Sequence, residues 1–264
     1  MTSLPPDKLP KRNVLGIGVT QAPYAAAVQH LVELAQQRVS AYVCVANAHM
    51  LVEANQDHSF WDVLDQAELV TPDGKPLSVM MNWLYQTQQE RVAGPDLMVS
   101  LFERAEAENL RLFLFGSTPQ VLEAITQKAK QLYPQLTLAG QLSPPFQAIS
   151  PAEEEAMIQQ INDSGANLVL VALGCPKQER WMHAHSPQIQ GVLIGVGAAF
   201  PFFSGDLNRA PHWMQNASLE WLYRLYCEPR RLFQRYLITN SRFMLLALIQ
   251  LFKHYTSPKP NPDQ

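Results

Sequence analysis

The amino-acid sequence predicts an α/β fold, a mainly parallel sheet with helices on both faces, followed by a C-terminal helical appendage. Three observations carry this. Short apolar runs recur along most of the chain, stretches with helical spacing separate them, and the composition shifts near Asn208. Parallel strands are buried on both faces and read as continuous apolar runs. Their alternation with helices implies right-handed crossovers and a doubly covered sheet.

The elements follow in order. Residues 1–12 are polar and proline-bearing, and the expectation is a disordered N-terminus without a signal-peptide pattern. The α/β domain is expected over residues 13–208. Runs at 14–19, 42–46, 110–115, 136–139, 168–173 and 191–196 read as strands, with a shorter candidate at 68–71. Helical patterns fill the gaps. One covers 24–39, and another covers 96–108 with Leu97, Leu101 and Ala105 on one face. A third, 119–132, starts with Pro119 after Thr118 as cap. A fourth, 150–162, has Ser150 as cap, Pro151 next and acids in the first turn, where the helix dipole favours them.

Residues 209–256 are expected to form a helical, basic and aromatic appendage near a membrane, and 257–264 a disordered Pro-rich tail. Five arginines (Arg224, Arg230, Arg231, Arg235, Arg242) face one acid, Glu228, across 224–242. Residues 243–252 are apolar apart from Gln250, and no run reaches the ~20 apolar residues needed to span a bilayer. Two readings stay open for this stretch: a core helix, or an interfacial helix whose aromatic groups insert beside arginines. Confinement of these residues to the end of the chain leads to the expectation that the α/β domain folds without residues 218–264.

Bulk properties exclude some classes. With 264 residues and 47% apolar content the chain builds a sizeable core. A net charge of −3 argues against a general nucleic-acid binder. Cys44, Cys175 and Cys227 lie far apart, which fits a reducing cytoplasm and no disulfide framework.

The most informative stretch is Gly174-Cys175-Pro176-Lys177-Gln178-Glu179-Arg180-Trp181. It follows an apolar strand, and ligands of open α/β sheets bind at such strand ends. Lys177, Gln178 and Glu179 there suit a phosphate- or sugar-bearing ligand; a solvated first helical turn is the plain alternative. Asp73, after a short strand and before Gly74, is placed to act as a general base, with an Asx turn as the alternative. Asn47 follows another strand. Arg91 precedes a Gly-Pro turn. Gly116 and Ser117 form a small-residue strand-to-helix turn able to hold a phosphate or sugar hydroxyl on backbone N–H groups. The segment 197–205, with Phe202 and Phe203, either lines an aromatic pocket or packs in the core.

Gly16-Ile17-Gly18 and Gly195-Val196-Gly197 each lack the third glycine of a dinucleotide fingerprint. There is no Walker lysine motif, no Gly-x-Ser-x-Gly elbow and no Asp-x-Asp clamp. His183 and His185 lack a third ligand, so no metal site is expected.

Taken together, Asn47-Ala48, Pro72-Asp73-Gly74, Arg91-Val92-Ala93-Gly94-Pro95-Asp96-Leu97, Gly174 to Glu179, Gly195 to Phe200, Arg209-Ala210-Pro211-x-Trp213-Met214 and Glu220-Trp221-Leu222-Tyr223-Arg224 with Glu228-Pro229-Arg230-Arg231 resemble the WecG/TagA/CpsF glycosyltransferase family, over roughly residues 14 to 243. The resemblance implies a Rossmann-like sheet and an inverting, metal-independent transferase without a cofactor. It implies a UDP-sugar donor carrying N-acetylmannosamine or its uronic acid. The implied acceptor is N-acetylglucosamine on a polyprenyl diphosphate at the cytoplasmic membrane face, and the enzyme would be peripheral there and self-associating. Asp73 matches the proposed base, and Asn47, Arg91 and Gln178 match substrate-site positions. The tail arginines, with Arg224, Arg230 and Arg231 as candidates, match an appendage that holds diphosphate. Two positions depart from the pattern: Val45 stands where Thr is frequent and Pro201 where Asp is common, and both bear on donor contacts. A nucleotide-dependent oxidoreductase and a non-catalytic sugar-nucleotide or membrane-binding module are the competing readings.

Overall fold

The computed structural model describes residues 6–145, 147, 149–216 and 219–256. The tail expected to be disordered, 257–264, lies outside the described residues.

The chain opens with β1 (Lys11–Val14) and β2 (Ile17–Thr20), paired antiparallel with Val14 opposite Ile17. The run 14–19, expected as one strand of the main sheet, is therefore half of a hairpin that starts inside the segment expected to be disordered. The reason is a two-residue turn. Leu15 (φ 54°) and Gly16 (φ 90°) both have positive φ, the geometry that matches strand twist in tight hairpins. The hairpin abuts the main sheet, where Thr20 Oγ1 accepts the Val70 N–H (3.0 Å).

Then follow α1 (Tyr24–Gln36), β3 (Ala41–Ala46), α2 (Ala48–Gln56), α3 (His58–Asp65), β4 (Leu69–Pro72), α4 (Lys75–Tyr85), α5 (Gly94–Ala107), β5 (Arg111–Gly116), α6 (Pro119–Leu132), β6 (Thr137–Leu142), α7 (Pro151–Asp163), β7 (Leu168–Ala172), α8 (Lys177–His185), β8 (Val192–Gly195) and α9 (Ala199–Ser204). Thr118 caps α6 through Val121 N–H, and Ser150 forms a full capping box with Glu153, as the sequence pattern predicts.

Among the described residues the main sheet has six parallel strands in the order β4-β3-β8-β7-β5-β6. One face packs against the hairpin, α2, α3, α4, α7 and α8; the other packs against α1, α5, α6 and α9. The mainly parallel sheet covered on both faces is thus the observed architecture. The helices leaving β3 and β8, adjacent strands, go to opposite faces, because α2 packs on one side and α9 on the other. That divergence opens a crevice at the C-terminal edge.

The appendage is α10 (His212–Asn216), α11 (Glu220–Cys227) and α12 (Pro229–Thr256). One side of α12 is part of the body. Phe243 and Ala247 join the core on the α2–α4 face, and Leu232 and Thr239 are also buried. Gln250 accepts from Leu15 N–H (2.8 Å) and donates to Asn13 O (3.0 Å). Removing residues 218–264 would expose these groups, so the α/β domain shares part of its core with the appendage. The core reading of 243–252 holds for one face of the helix; on the other, Met244, Leu245, Leu248, Ile249 and Phe252 are exposed. Among the described residues no helix is long and apolar enough to cross a membrane.

Candidate active site

Asp73 extends β4 by one residue, and its N–H donates to Ala46 O (2.8 Å) across the β3–β4 ladder. This holds it beside Asn47, whose Oδ1 accepts Met50 N–H (3.2 Å) and caps α2. The segment after α4 runs back along the same edge, with Val92 N–H bonded to Pro72 O (2.9 Å). That places Arg91 over Asp73. Its Nε donates to Asp73 O (2.5 Å), and its Nη2 lies 3.6 Å from Asp73 Oδ1. The Asp73 carboxylate therefore faces a guanidinium instead of forming an Asx turn. Its Oδ1 is buried and makes no hydrogen bond among the described residues.

Burial pushes the Asp73 carboxyl up to about 6; Arg91 opposes the shift, Glu220 adds to it, and the Gly94 N–H and Arg224 oppose it further. A carboxylate deprotonated at neutral pH yet far more basic than ordinary aspartate suits proton abstraction.

The crevice wall is built by α8. Gln178 and Glu179 are buried in its first turn. A Cβ on Gly195 would lie 3.0 Å from the Gln178 amide nitrogen, and one on Gly197 would lie 3.4 Å from the amide oxygen. The glycines of Gly195-Val196-Gly197 thus make room for Gln178. Gln178 Nε2 donates to Glu179 Oε1 (2.7 Å), while Gln178 Oε1 is buried without a hydrogen bond among the described residues. Burial pushes Glu179 up to about 7, against the lowering effect of the Gln178 bond and lesser contributions from the Glu179 N–H and Cys175.

The other residues of the octapeptide point elsewhere. Lys177 is exposed. Arg180 pairs with Asp57 (2.6 Å), and Trp181 stacks on Phe115 with ring centroids 4.2 Å apart. Gly116 and Ser117 share the sheet's C-terminal edge, but β5 is four strand steps from β4, roughly 19 Å at the usual strand spacing. Their local geometry has a packing cause: a Cβ on Gly116 would meet Ala172 O at 2.5 Å, and Ser117 N–H already bonds Ala172 O (2.9 Å).

From the tail, Arg224 sits over the Phe202 ring (5.6 Å) and close enough to Asp73 to lower its pKa. Arg224 Nε is buried with no hydrogen-bond partner among the described residues. It lines a small cleft of about 180 Å³ with Phe202, Leu207 and Tyr223. Phe203, by contrast, packs in the core. Arg230 is exposed at the start of α12. The Arg231 side chain lies outside the described residues.

Three site residues are absent from the candidate set drawn from sequence. Glu220 Oε2 lies 2.7 Å from Arg91 Nη2, and Glu220 Oε1 lies 3.6 Å from Arg209 Nε. Arg209 in turn grips Asp96 with both terminal nitrogens, Nη2 at 2.8 Å from Oδ2. Their signal lay in three stretches of the family pattern, Arg91 to Leu97, Arg209-Ala210-Pro211 and Glu220-Trp221, where no local rule marks them as partners. No group of three or more His, Cys, Asp and Glu able to hold a metal occurs among the described residues. His183 Nδ1 meets Tyr42 Oη (3.1 Å) and His185 Nε2 meets Glu154 (2.9 Å).

Residues 12–257 match the Glycosyl transferase WecG/TagA/CpsF family. The chain belongs to that family. It is also 30% identical over 228 residues to an N-acetylglucosaminyldiphosphoundecaprenol N-acetyl-beta-D-mannosaminyltransferase of Bacillus subtilis (strain 168), covering 86% of this chain and 87% of the relative. A protein of the same name from Bacillus spizizenii is 31% identical over 196 residues, 74% of each chain. This member of the WecG/TagA/CpsF family is accordingly a glycosyltransferase.

Proposed function

We propose that this transferase moves N-acetylmannosamine or a related hexosamine-type sugar from a UDP-sugar to N-acetylglucosamine on a polyprenyl diphosphate. In this reading the reaction inverts the anomeric centre and requires neither metal ion nor cofactor. The single observation that carries it is the Asp73 carboxylate, half-buried at the sheet edge beside Arg91 and within electrostatic reach of the tail's Arg224. The acceptor hydroxyl oxygen attacks the anomeric carbon, its proton passes to Asp73, and the bond to the UDP oxygen breaks with its electron pair leaving on the diphosphate. Arg224, whose buried Nε has no hydrogen-bond partner among the described residues, meets that charge; guanidinium groups suit phosphate oxygens and are worth most where water is excluded. Asn47 and Gln178 offer amides to the sugar from the crevice. The transferred sugar and the acceptor are supported by the two Bacillus relatives, each named an N-acetylglucosaminyldiphosphoundecaprenol N-acetyl-beta-D-mannosaminyltransferase.

The proposed location is the cytoplasmic face of the membrane. The exposed stripe on α12 and the exposed Arg230 support it. Apolar and basic groups on one helix side bind anionic headgroups.

The test is UDP release from UDP-N-acetylmannosamine with a lipid-linked N-acetylglucosamine acceptor, for the full chain and for Asp73→Asn, each with and without chelator. Turnover by the wild type, unchanged by chelator and lost in the variant, is expected. Equal rates in both proteins would remove Asp73 as the base. Activity lost in chelator and restored by magnesium or manganese would overturn metal independence.

A further inference from the structure

We infer that Glu220 is a positioning residue: it docks the tail on the sheet edge through Arg91 and draws that guanidinium away from Asp73, keeping the carboxylate basic. The inference rests on Asp73 as the base in the proposed reaction.

The geometry is that of a relay. Arg91 stands between two carboxylates and its Nη2 is unequally shared, 2.7 Å from Glu220 and 3.6 Å from Asp73. The nearer acid has the stronger coulombic attraction. Glu220 lies at the first position of α11, and Arg224 lies one helical turn further on. Fixing Glu220 on Arg91 therefore sets where Arg224 stands over the sheet edge. The far end of the relay is equally specific. Glu220 Oε1 approaches Arg209, which is held by Asp96 in the first turn of α5. The chain Asp73–Arg91–Glu220–Arg209–Asp96 thus ties β4, α5 and the tail at one point.

The charged groups facing Asp73 are Arg91 from the loop before α5, Glu220 and Arg224 from α11, and Arg209, with the Gly94 N–H from α5. Glu220 is the acid in that set and acts against Arg91, Arg224 and Arg209. Without its charge, Arg91 has Asp73 as its remaining carboxylate and the cations dominate. The Asp73 carboxyl then becomes a weaker base, because opposite charge nearby favours ionisation.

The experiment uses the full chain as wild type, Glu220→Gln and Glu220→Asp. Asp73 is titrated by carboxyl ¹³C NMR, assigned by its loss in Asp73→Asn, and the acid limb of kcat/KM, which reports the free enzyme, is recorded alongside. Protease resistance of α11 reports whether the tail stays docked. In Glu220→Gln the Asp73 midpoint is expected to fall by about one pH unit, with α11 still protected and the acid limb moving the same way. Glu220→Asp, which keeps the charge, is expected to restore most of the shift. An unchanged midpoint in Glu220→Gln would overturn the inference. So would a fall accompanied by release of α11 to protease, since solvation of Asp73 would then account for it. Absence of turnover in wild type would refute the proposed function, while the NMR titration would still decide the role of Glu220.

Discussion

The sheet edge and the tail hold opposite parts of the chemistry and are held in place in opposite ways. At the edge, Asp73 and Asn47 are fixed by ladder and cap hydrogen bonds, and Gln178 is fixed by packing against glycines. These are short-range consequences of a fully buried sheet. The tail brings Arg224, and it reaches the edge through ion pairs (Arg91–Glu220 and Arg209–Asp96) and one buried side of α12. The placing of the Asp73 carboxylate is thus a property of the core, while Glu220 and Arg224, which act on its charge, ride on an element held by ion pairs. In the proposed reaction that division would let the cationic half dock where a lipid-linked acceptor lies.

The largest test of this division is Asp73→Asn. General-base removal costs typically 10²–10⁴-fold in rate, and a fall in that range in kcat with an intact fold by circular dichroism is expected. A smaller effect, roughly 10-fold to 100-fold, is expected from Arg224→Gln, the size of one lost charge-assisted contact to phosphate. If the tail supplies countercharge, that loss appears in kcat and grows weaker with a better leaving nucleotide. A loss confined to KM for the lipid acceptor would move Arg224 from the leaving group to the membrane.

The same comparison explains what the sequence revealed. Helices starting at Pro119 and after Ser150 were legible because caps and proline act within a few residues. The edge residues Asn47, Asp73 and Gln178 were legible because apolar runs mark strand ends. Residues 14–19 misled because a hairpin turn made of Leu15 and Gly16 keeps the apolar pattern unbroken. Glu179 read as a polar ligand group; it is buried and accepts a hydrogen bond from Gln178. The pairing of Glu220 with Arg91 was invisible to local rules, since it depends on how a distant helix folds back. The two faces of α12 were equally hidden: helical spacing separates Phe243 and Ala247 from Leu245 and Leu248 without saying which side meets the body.

That last point gives a milder test. The double variant Leu245→Ser/Leu248→Ser changes the exposed side alone. Binding to vesicles containing anionic lipid is expected to weaken about tenfold, while thermal stability stays within experimental error. Phe243→Ala, on the buried side, is expected to do the reverse, lowering stability by about 3 kcal/mol with little effect on vesicle binding. Similar vesicle binding by the double variant and wild type would detach the stripe from the membrane.

The smallest expected effect concerns the stability of the edge itself. Asp73 is an acid whose folded pKa is raised from 3.8 to about 6 by burial. Between those values the unfolded chain releases its proton first, so stability falls as pH rises through that window and the full penalty is present above it. Asp73→Asn removes the penalty. The variant is expected to be more stable than wild type by about 1–2 kcal/mol at pH 7.5, less than the full shift implies because a quarter of the side chain remains accessible. Below pH 4 the difference is expected to vanish. Denaturant melts of both proteins at pH 4, 6 and 7.5 measure it. A variant less stable than wild type at pH 7.5 would mean that the Arg91 contact outweighs desolvation, and the edge would then be held by its ion pair rather than strained by its burial.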